Sequence, residues 1–375
     1  MSWLLAILGI VALIVLHELG HFAVAKAVGM RVERFSLFFP PTVFRVKRGE
    51  TEYAIGALPA GGYVKITGMN PEELEGLEPE VRRRAYYSQP PWKRIAVILA
   101  GPGVNVVIAF VLFWAVLYAG SLEGSIALGN LDPKLATISP STSVLAIDRG
   151  APAYGYLRPG DRIVSVDGVK ATVQSVRNQV NAHRCAGTPK KGCRAATPVS
   201  VTVARGGHDV ALALYPRLTA AQEANGRVVE RMLLGFEFGS PKAYGVFGAA
   251  GASLSVMWHT TTSTLTNFAK ALTSSKTRHE LHSIVGISQV GQETVAAGAG
   301  YALVFLGFLS LVLAVINLFP FLPLDGGHVL WSLAEKVRGR RVSLMAMYRF
   351  SSVGIVLLFF LVINGVSNDI SRLTG

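Results

Sequence analysis

The sequence has few charged residues, only 16%, and only two cysteines among its 375 residues. It contains no phosphate-binding P-loop, no G-x-G-x-x-G fingerprint and no G-x-S-x-G turn, which argues against nucleotide-dependent and serine-hydrolase chemistry. Its net charge of +13 is not accompanied by a basic stripe with interleaved aromatic residues, so we expect no nucleic-acid partner. Such a charge suits contact with an anionic lipid surface.

Apolar residues make up 51% of the sequence, with a mean hydropathy of +0.42, and they are concentrated in blocks. Four blocks are candidate membrane spans, at about residues 3–25, 95–119, 301–319 and 353–363, the last being short unless its flanks extend it. The pattern predicts an α-helical polytopic membrane protein with about four transmembrane helices in a lipid bilayer. Lys and Arg cluster in the loops after spans one and three, so these loops are predicted to be cytoplasmic and the long segment after span two to lie outside.

The first span contains His17-Glu18-Leu19-Gly20-His21, an H-E-x-x-H pattern. On a helix, two histidines four residues apart project from one face and can share one metal ion, with Glu18 between them as general base toward a metal-activated water. Ionisable residues at membrane depth are costly and usually functional. A chance match, or two histidines bonded to neighbouring helices, is the alternative.

A catalytic zinc usually has three protein ligands, and Asp325 is the candidate for the third. It follows the apolar run of the third span, which two prolines and a glycine pair interrupt, so the backbone there is able to turn toward the two histidines. An interfacial carboxylate at a helix end is the alternative explanation for Asp325. His328 is a competing ligand.

Together, H-E-L-G-H in the first span and N-L-F-P-F-L-P-L-D-G-G at residues 317–327 resemble the site-2 protease family of intramembrane zinc metalloproteases. The layout is most similar to the bacterial regulator of sigma-E protease type, and the resemblance covers nearly the whole chain. It implies Zn2+ as cofactor, and it implies roles for four residues: His17, His21 and Asp325 as metal ligands and Glu18 as catalytic base.

Two further matches, together with Asn317 of the motif above, concern substrate binding. Residues 57–65 resemble the glycine-rich β-hairpin that enters the membrane beside the active site in this family, and residues 101–105 resemble its G-P-x-x-N motif. The resemblance implies substrate contacts at Asn317, Gly61, Gly62, Tyr63 and Asn105. The residues of 51–66 themselves predict a short membrane-associated hairpin whose edge pairs with an unwound substrate; an ordinary cytoplasmic hairpin is the alternative.

Residues 150–168 resemble the G-x-L-x-x-G-D-x-I-x-x-V-D-G core of a PDZ domain, and the chain has room for one such inserted α+β domain. Strands are predicted at 161–168, 199–203 and 209–214, and a helix at 175–183. Leu234, Gly235 and Phe236 resemble the carboxylate-binding loop, which would take a peptide end at a sheet edge. A filter that excludes substrates with large ectodomains is the alternative role.

Cys185 and Cys193 both lie in the segment predicted to be outside, where a disulfide between them is favoured. Two free thiols, or half of a metal site, are the alternatives.

We predict four parts of the chain: a membrane part with the H-E-x-x-H helix, hairpin and second span (1–125), an extracytoplasmic PDZ-like domain (126–240), an interfacial linker (241–298) and a second membrane part (299–375). Residues 246–272 of the linker are rich in Ala, Ser and Thr. They are too polar for a predicted span, so an amphipathic helix on the membrane surface is expected.

The resemblance implies an intramembrane metalloendopeptidase of the bacterial inner membrane, with its active site toward the cytoplasm and its PDZ-like domain outside. The implied substrate is a single-span membrane protein, an anti-sigma factor above all, that a site-1 protease has already shortened in regulated intramembrane proteolysis. A binding scaffold with a structural zinc is one alternative, against which Glu18 argues. A metal transporter is another, against which the lack of an internal repeat argues.

Overall fold

The computed structural model describes residues 2–135, 137–222, 228–274, 284–321, 324–340 and 342–374. Its helices are α1 (Ser2–Ala27), α2 (Pro79–Arg83), α3 (Pro91–Ala119), α4 (Leu122–Leu131), α5 (Val173–Ala182), α6 (Val246–Thr273), α7 (Ile284–Ala297), α8 (Ala299–Asn317), α9 (Asp325–Arg338) and α10 (Leu344–Thr374). Its strands are β1 (Val32–Arg48), β2 (Thr51–Ile66), β3 (Ile138–Ile147), β4 (Arg162–Val166), β5 (Val169–Lys170), β6 (Val199–Arg205), β7 (His208–Leu214), β8 (Arg217–Gln222), β9 (Val228–Leu233) and β10 (Phe236–Pro241).

The chain divides into two compact units. The first, which we call the helical unit, consists of Met1–Ala119, Asn130–Leu135 and Tyr244–Gly375. The second, which we call the sheet unit, consists of Gly120–Gly129 and Ala136–Ala243. The four-part division predicted from the sequence stays a prediction.

Within the described residues, four helices are long and apolar enough to cross a membrane, as the sequence predicted: Leu4–Ala27, Pro91–Ala119, Ala299–Asn317 and Met345–Ser371. The fourth is longer than its apolar run because the helix continues through flanking residues on both sides. The first ends where Gly29 adopts a positive φ of 81° and Met30 N–H donates to Ala25 O, the left-handed termination that glycine permits.

The helices α1, α3 and α8 pack against one another through small residues. A Cβ added to Gly20 of α1 would lie 2.7 Å from the backbone oxygen of Ala100 in α3, and one added to Gly307 of α8 would lie 2.6 Å from the Phe113 ring. Because lipid is as apolar as the side chains, helices in a membrane associate mainly through such close packing. The glycines therefore set the spacing of these helices.

A buried ion pair joins α9 to α3. Arg94 of α3 donates to Glu335 of α9, and the two side chains are 5% and 7% exposed. The Arg94 guanidinium also lies 5.1 Å from the ring centroid of Tyr87 and 5.9 Å from that of Tyr86. Breaking a buried pair leaves one charge in apolar surroundings, so this contact fixes the position of α9 on α3.

The sheet that follows α1 is larger than the hairpin expected from residues 51–66. The two halves of β2 do not pair with each other; residues 52–55 and 62–65 both pair with residues 34–37 of β1. The first half of β1 is therefore central, and residues 62–65 form an edge. The sequence did not show this pairing because it joins residues that are far apart along the chain. Such contacts leave no local sequence pattern.

In the sheet unit, antiparallel strands follow the order β10-β3-β4-β6-β7, with β5 paired to β4. The predicted strands and helix are present as β4, β6, β7 and α5, and the Asp167-Gly168 turn has positive φ at both residues. The apolar core consists of alternate residues of these strands, including Val144, Ile163 and Val201. Its assignment as a PDZ domain stays a prediction.

The loop that resembles a carboxylate-binding loop leads directly into β10. Leu234 is buried, Gly235 has a φ of 71°, and Phe236 begins the edge strand. A hairpin of β8 and β9, which the sequence did not predict, precedes this loop. The structure joins Cys185 to Cys193 in a disulfide, with a Cα–Cα distance of 5.8 Å, and the backbone around Cys193 pairs with Leu218 of β8.

One ion pair anchors the sheet unit. Buried Asp161 accepts hydrogen bonds from Arg205 Nε at 2.8 Å, Arg205 Nη2 at 2.6 Å and the Arg158 backbone N–H at 2.8 Å. Burial alone would raise the pKa of Asp161, but these bonds outweigh burial and hold the pKa below its ordinary value. The ionised carboxylate therefore stabilises the fold above about pH 4, and this contribution is lost as the pH falls through the lowered pKa.

We predict that Arg205→Ala destabilises the sheet unit by roughly 1–3 kcal/mol, because Asp161 would stay buried without its charged partner while Arg205 itself is partly exposed. Hydrogen exchange of the β4 and β6 amides in the intact protein measures the effect. Arg162→Ala, an exposed position on β4, is the control. The difference between the two variants should shrink below about pH 4; equal exchange at neutral pH would show that the pair contributes no stability.

Candidate active site

His17 and His21 lie on one face of α1, one helical turn apart. They are only 6% and 7% exposed, and their Nε2 atoms lie 3.2 Å apart. Helical spacing alone brings these two atoms together, so no other element is needed to form the first half of the site.

Asp325 reaches the histidines from the first turn of α9. Its Oδ2 atom lies 3.2 Å from His17 Nε2 and 3.2 Å from His21 Nε2. The connection from α8 is tight, since a Cβ added to Gly326 would lie 2.2 Å from the backbone oxygen of Leu318. The glycine after Asp325 is therefore required by close backbone approach.

The three atoms fit a zinc ion. His17 Nε2, His21 Nε2 and Asp325 Oδ2 form a triangle with sides of 3.2 Å. Both histidine rings face Asp325 Oδ2, yet none of the described residues donates a hydrogen bond of good geometry to this atom. Atoms that bind one zinc tetrahedrally at about 2.0 Å lie about 3.3 Å from one another. Two imidazoles and one carboxylate are also a ligand set that catalytic zinc uses, and they leave a fourth position open.

The outer nitrogen of His21 is held by α3. With Nε2 as the metal-facing atom, Nδ1 carries the proton and donates to the backbone oxygen of Val97 at 2.8 Å. Such a bond fixes both the tautomer and the orientation of a ligand histidine. The helix approaches closely here, because a Cβ added to Gly101 would lie 2.2 Å from His21 Nε2.

Asn105 of α3 contacts the outer nitrogen of His17, as Val97 contacts that of His21. Its side-chain nitrogen lies 3.2 Å from His17 Nδ1, while its Oδ1 is buried without a partner among the described residues. If His17 binds metal through Nε2, its Nδ1 carries a proton and needs an acceptor. Turning the amide by 180° places Oδ1 toward His17 and supplies that acceptor. Asn105 is thus positioned to orient His17, and its expected contact with substrate stays a prediction.

Glu18 lies against the β1–β2 sheet. A Cβ added to Gly62 would lie 3.0 Å from Glu18 Cγ and 3.0 Å from the backbone oxygen of Ser36. The edge formed by residues 62–65 is therefore next to the candidate base. Nearby, Tyr63 stacks on Phe39 with ring centroids 5.8 Å apart and accepts a hydrogen bond from Arg34 at 3.2 Å.

The remaining candidates are Asn317 and His328. Asn317 is the last residue of α8, and residues 322–323 of its motif lie outside the described residues. The ring of His328 packs against Tyr86 with centroids 6.1 Å apart. Across the described part of the chain, His17, His21 and Asp325 are the only group of three His, Cys, Asp or Glu side chains close enough to share a metal, so His328 does not belong to it.

Sequence reasoning missed the supports of the site. Val97 contributes only its backbone oxygen, and Gly101 only its lack of a side chain, so neither has a chemical signature. The G-P-x-x-N motif was the one available signal, since it contains both Gly101 and Asn105. It does not show which residues of α1 they face.

Peptidase family M50 matches the chain over residues 5–361. The chain belongs to this family. It is 33% identical over 367 residues to the zinc metalloprotease Rip1 of Mycobacterium tuberculosis, covering 88% of this chain and 85% of that one. It is 29% identical over 466 residues to the regulator of sigma-E protease RseP of Salmonella typhimurium, covering 99% of each. The resemblance of the sequence to the site-2 protease family is thereby confirmed.

We predict that Gly101→Ala lowers zinc affinity of this M50 protein by about 10- to 100-fold, because the new methyl group displaces His21. Gly103→Ala is the matched control, since nothing lies within 4 Å of a Cβ at this position on the same helix. Zinc bound per molecule, measured at buffered free zinc concentrations, gives the result. Equal zinc binding by both variants would contradict the placement of His21 at the metal.

Proposed function

We propose that this protein cleaves peptide bonds within the membrane-spanning segments of single-span membrane proteins, with zinc held by His17, His21 and Asp325. Family membership and the relatives described as zinc metalloproteases support the zinc protease activity. The observation that carries the proposal is the 3.2 Å triangle of His17, His21 and Asp325, formed between α1 and the helix that follows α8. Both α1 and α8 are candidate membrane spans, so the centre lies among membrane helices.

Zinc at this centre would polarise the scissile carbonyl and lower the pKa of an attacking water. Among the protein's own side chains, Glu18 carries out the proton transfers. Its carboxylate takes the proton that the attacking water loses, and it then donates this proton to the nitrogen of the departing amine. Val97 and Asn105 hold the histidine rings through both steps, so neither ring turns away as charge develops.

The edge strand gives the substrate a place beside Glu18. A membrane-spanning helix hides its peptide groups in its own hydrogen bonds, so it must unwind before a carbonyl becomes accessible. Residues 62–65 pair with β1 on one side only, within the pairing the structure describes, and they lie next to Glu18. An unwound segment that adds to this edge has its backbone satisfied by the strand. Gly61, Gly62 and Tyr63 are the proposed contacts, with Asn317 and Asn105 on the neighbouring helices.

The sheet unit is proposed to lie outside and to control access. It would do so by capturing a peptide at β10, beside Leu234, Gly235 and Phe236, or by excluding substrates with large ectodomains. The expected substrate is an anti-sigma factor shortened by a site-1 protease; the Salmonella relative is a regulator of sigma-E protease. The protein itself is proposed to reside in the bacterial inner membrane, with its active site toward the cytoplasm.

The test is cleavage of a single-span substrate with a shortened ectodomain by detergent-purified protein. Wild type should cut within the span. Glu18→Gln should retain zinc but lose at least about 1,000-fold in rate, because it keeps the shape of the side chain and removes the base. Asp325→Ala should lose both activity and zinc.

Glu293→Gln, an exposed position on α7, is the control and should behave as wild type. Cleavage by Glu18→Gln at the wild-type rate would overturn the proposed mechanism. Full zinc content in Asp325→Ala would overturn its role as a ligand, whatever the activity of that variant.

A further inference from the structure

Charge is distributed unevenly over the sheet unit. Between residues 168 and 208 the sequence contains seven Lys and Arg residues but no Asp or Glu. Four of the seven fall within residues 184–194, around the disulfide of Cys185 and Cys193. We call residues 185–193 the disulfide loop. A local excess of one sign of charge raises the concentration of oppositely charged ligands at the surface, so this region is suited to binding an anion.

Three arginines around the disulfide loop share one face of a small sheet. Cys185 pairs with Ala195, and Arg194 pairs with Arg217, both in antiparallel register. Residues directly opposite each other point to the same face, and neighbours along a strand alternate between faces. Arg184, Arg194 and Arg217 therefore project from one face, which we call the basic face, whereas Ala195 is buried on the other. With neighbouring strands about 4.8 Å apart, the three arginines span about 10 Å.

Local contacts hold two of these arginines in place. The Arg194 guanidinium lies 3.6 Å from the ring centroid of Tyr215, a cation–π contact that orders the planar group. Arg184 Nη1 donates to the backbone oxygen of Asn181, in the last turn of α5, at 2.7 Å. A guanidinium carries five N–H donors, so these contacts leave most of the donors of both side chains able to bind an anion.

A cavity of about 340 Å³ opens on the basic face. Its lining residues are Ala182, His183, Arg184, Ala196 and Thr197. The wall that His183 forms is fixed, because its Nε2 lies 3.0 Å from Asp167 Oδ2 and its Nδ1 lies 2.9 Å from Thr197 Oγ1. The cavity thus has a guanidinium and a hydroxyl group in its lining, and both are hydrogen-bond donors suited to a phosphate oxygen.

The disulfide loop adds two more cations, Lys190 and Lys191, which are both exposed. Backbone bonds fix this part of the loop, since Cys193 N–H donates to the Lys190 oxygen at 2.9 Å and Gly192 N–H donates to the Leu218 oxygen at 2.8 Å. Across the described part of the chain, the ion pairs of the sheet unit leave these two lysines and the three arginines without a carboxylate partner. All five charges can therefore act on an external anion.

The chemistry of the loop favours a lipid headgroup over a protein partner. Residues 186–192 are Ala, Gly, Thr, Pro, Lys, Lys and Gly, so the loop offers no large apolar side chain. The centre of an interface between two proteins is usually rich in apolar and aromatic residues and poor in charge. The sheet unit also follows directly on α3, a candidate membrane span. This tether keeps the unit near a bilayer and raises the effective concentration of headgroup phosphates.

We propose that the basic face and the disulfide loop bind the phosphate groups of anionic phospholipids at the surface of the membrane. The planar forks of the arginines donate to phosphate oxygens in pairs, a geometry that a lysine does not reproduce. Lys190 and Lys191 add attraction to the negative surface potential of the bilayer. Binding keeps the sheet unit at the membrane surface. The proposal is independent of the proteolytic function.

Lysine footprinting tests the binding in the full-length protein. The protein is placed in nanodiscs of phosphatidylcholine, with or without phosphatidylglycerol, and treated with an amine-reactive reagent. Mass spectrometry gives the reaction rates of Lys190 and Lys191 relative to Lys170, an exposed lysine on β5. We expect the relative rates to fall at least about threefold with phosphatidylglycerol and to recover at about 0.5 M salt, which screens exposed charges. Equal relative rates in both nanodiscs at low salt would overturn the proposal.

Arginine variants show whether the basic face carries the binding. Arg184→Gln/Arg194→Gln/Arg217→Gln retains both lysines, yet their protection should be lost, because the donors that bind phosphate are gone. Replacing the same three arginines by Lys retains the charges and should retain part of the protection, which separates loss of charge from damage to the fold. The control changes three exposed arginines elsewhere in the sheet unit to Gln: Arg149, Arg158 and Arg162. Equal loss of protection in this control and in the basic-face variant would overturn the assignment to the basic face.

Soluble anions distinguish a lipid from other ligands of like charge. Glycerol phosphate or poly-glutamate is added to the protein in phosphatidylcholine nanodiscs, and the same lysine rates are measured. Neither should protect Lys190 and Lys191 as phosphatidylglycerol does, because neither is concentrated at the bilayer surface. Full protection by glycerol phosphate would assign the cavity to a soluble phosphate ester, and full protection by poly-glutamate would assign the basic face to an acidic peptide. Either result would overturn the lipid as ligand.

Discussion

Three electron-rich atoms held 3.2 Å apart are the constraint on which the helical unit depends. The lone pairs of two imidazole nitrogens and a carboxylate oxygen repel one another unless a cation lies between them. Few arrangements of packed helices keep such atoms together. Here the spacing within α1 supplies two of them, and the position of α9 supplies the third.

The rest of the helical unit can be understood as holding these atoms in place. Gly20, Gly101 and Gly326 remove side chains where backbones must approach, at α1 against α3 and at the turn between α8 and α9. The Arg94–Glu335 pair then fixes α9 from its far end. Loss of one partner of a buried pair costs about 3–5 kcal/mol, far more than a surface pair contributes. The carboxylate at the start of α9 is thus located by a charge pair three turns away.

The sequence predicted those features that rest on local periodicity or on a paired motif. The four apolar helices, the shared face of His17 and His21, and the strands around the Asp167-Gly168 turn are of this kind. It did not predict the position of Gly62 against Glu18, the pairing of β1 with both halves of β2, or the contact of Asn105 with His17. These contacts join residues that are distant along the chain or that pair within a sheet, so no local pattern shows them.

A protease in a membrane needs water and an unwound peptide, and both are scarce in the bilayer. Here both needs can be met at the same end of α1. His17 is followed by only ten further residues of α1, so the centre lies about 15 Å from the end of that helix. The β1–β2 sheet begins just beyond this end and returns to place Gly62 beside Glu18. Its edge offers backbone hydrogen bonds at a depth where lipid offers none. In the proposed mechanism, the edge that would expose a substrate carbonyl stands next to Glu18, the proposed base, so unwinding of the substrate would be coupled to its hydrolysis.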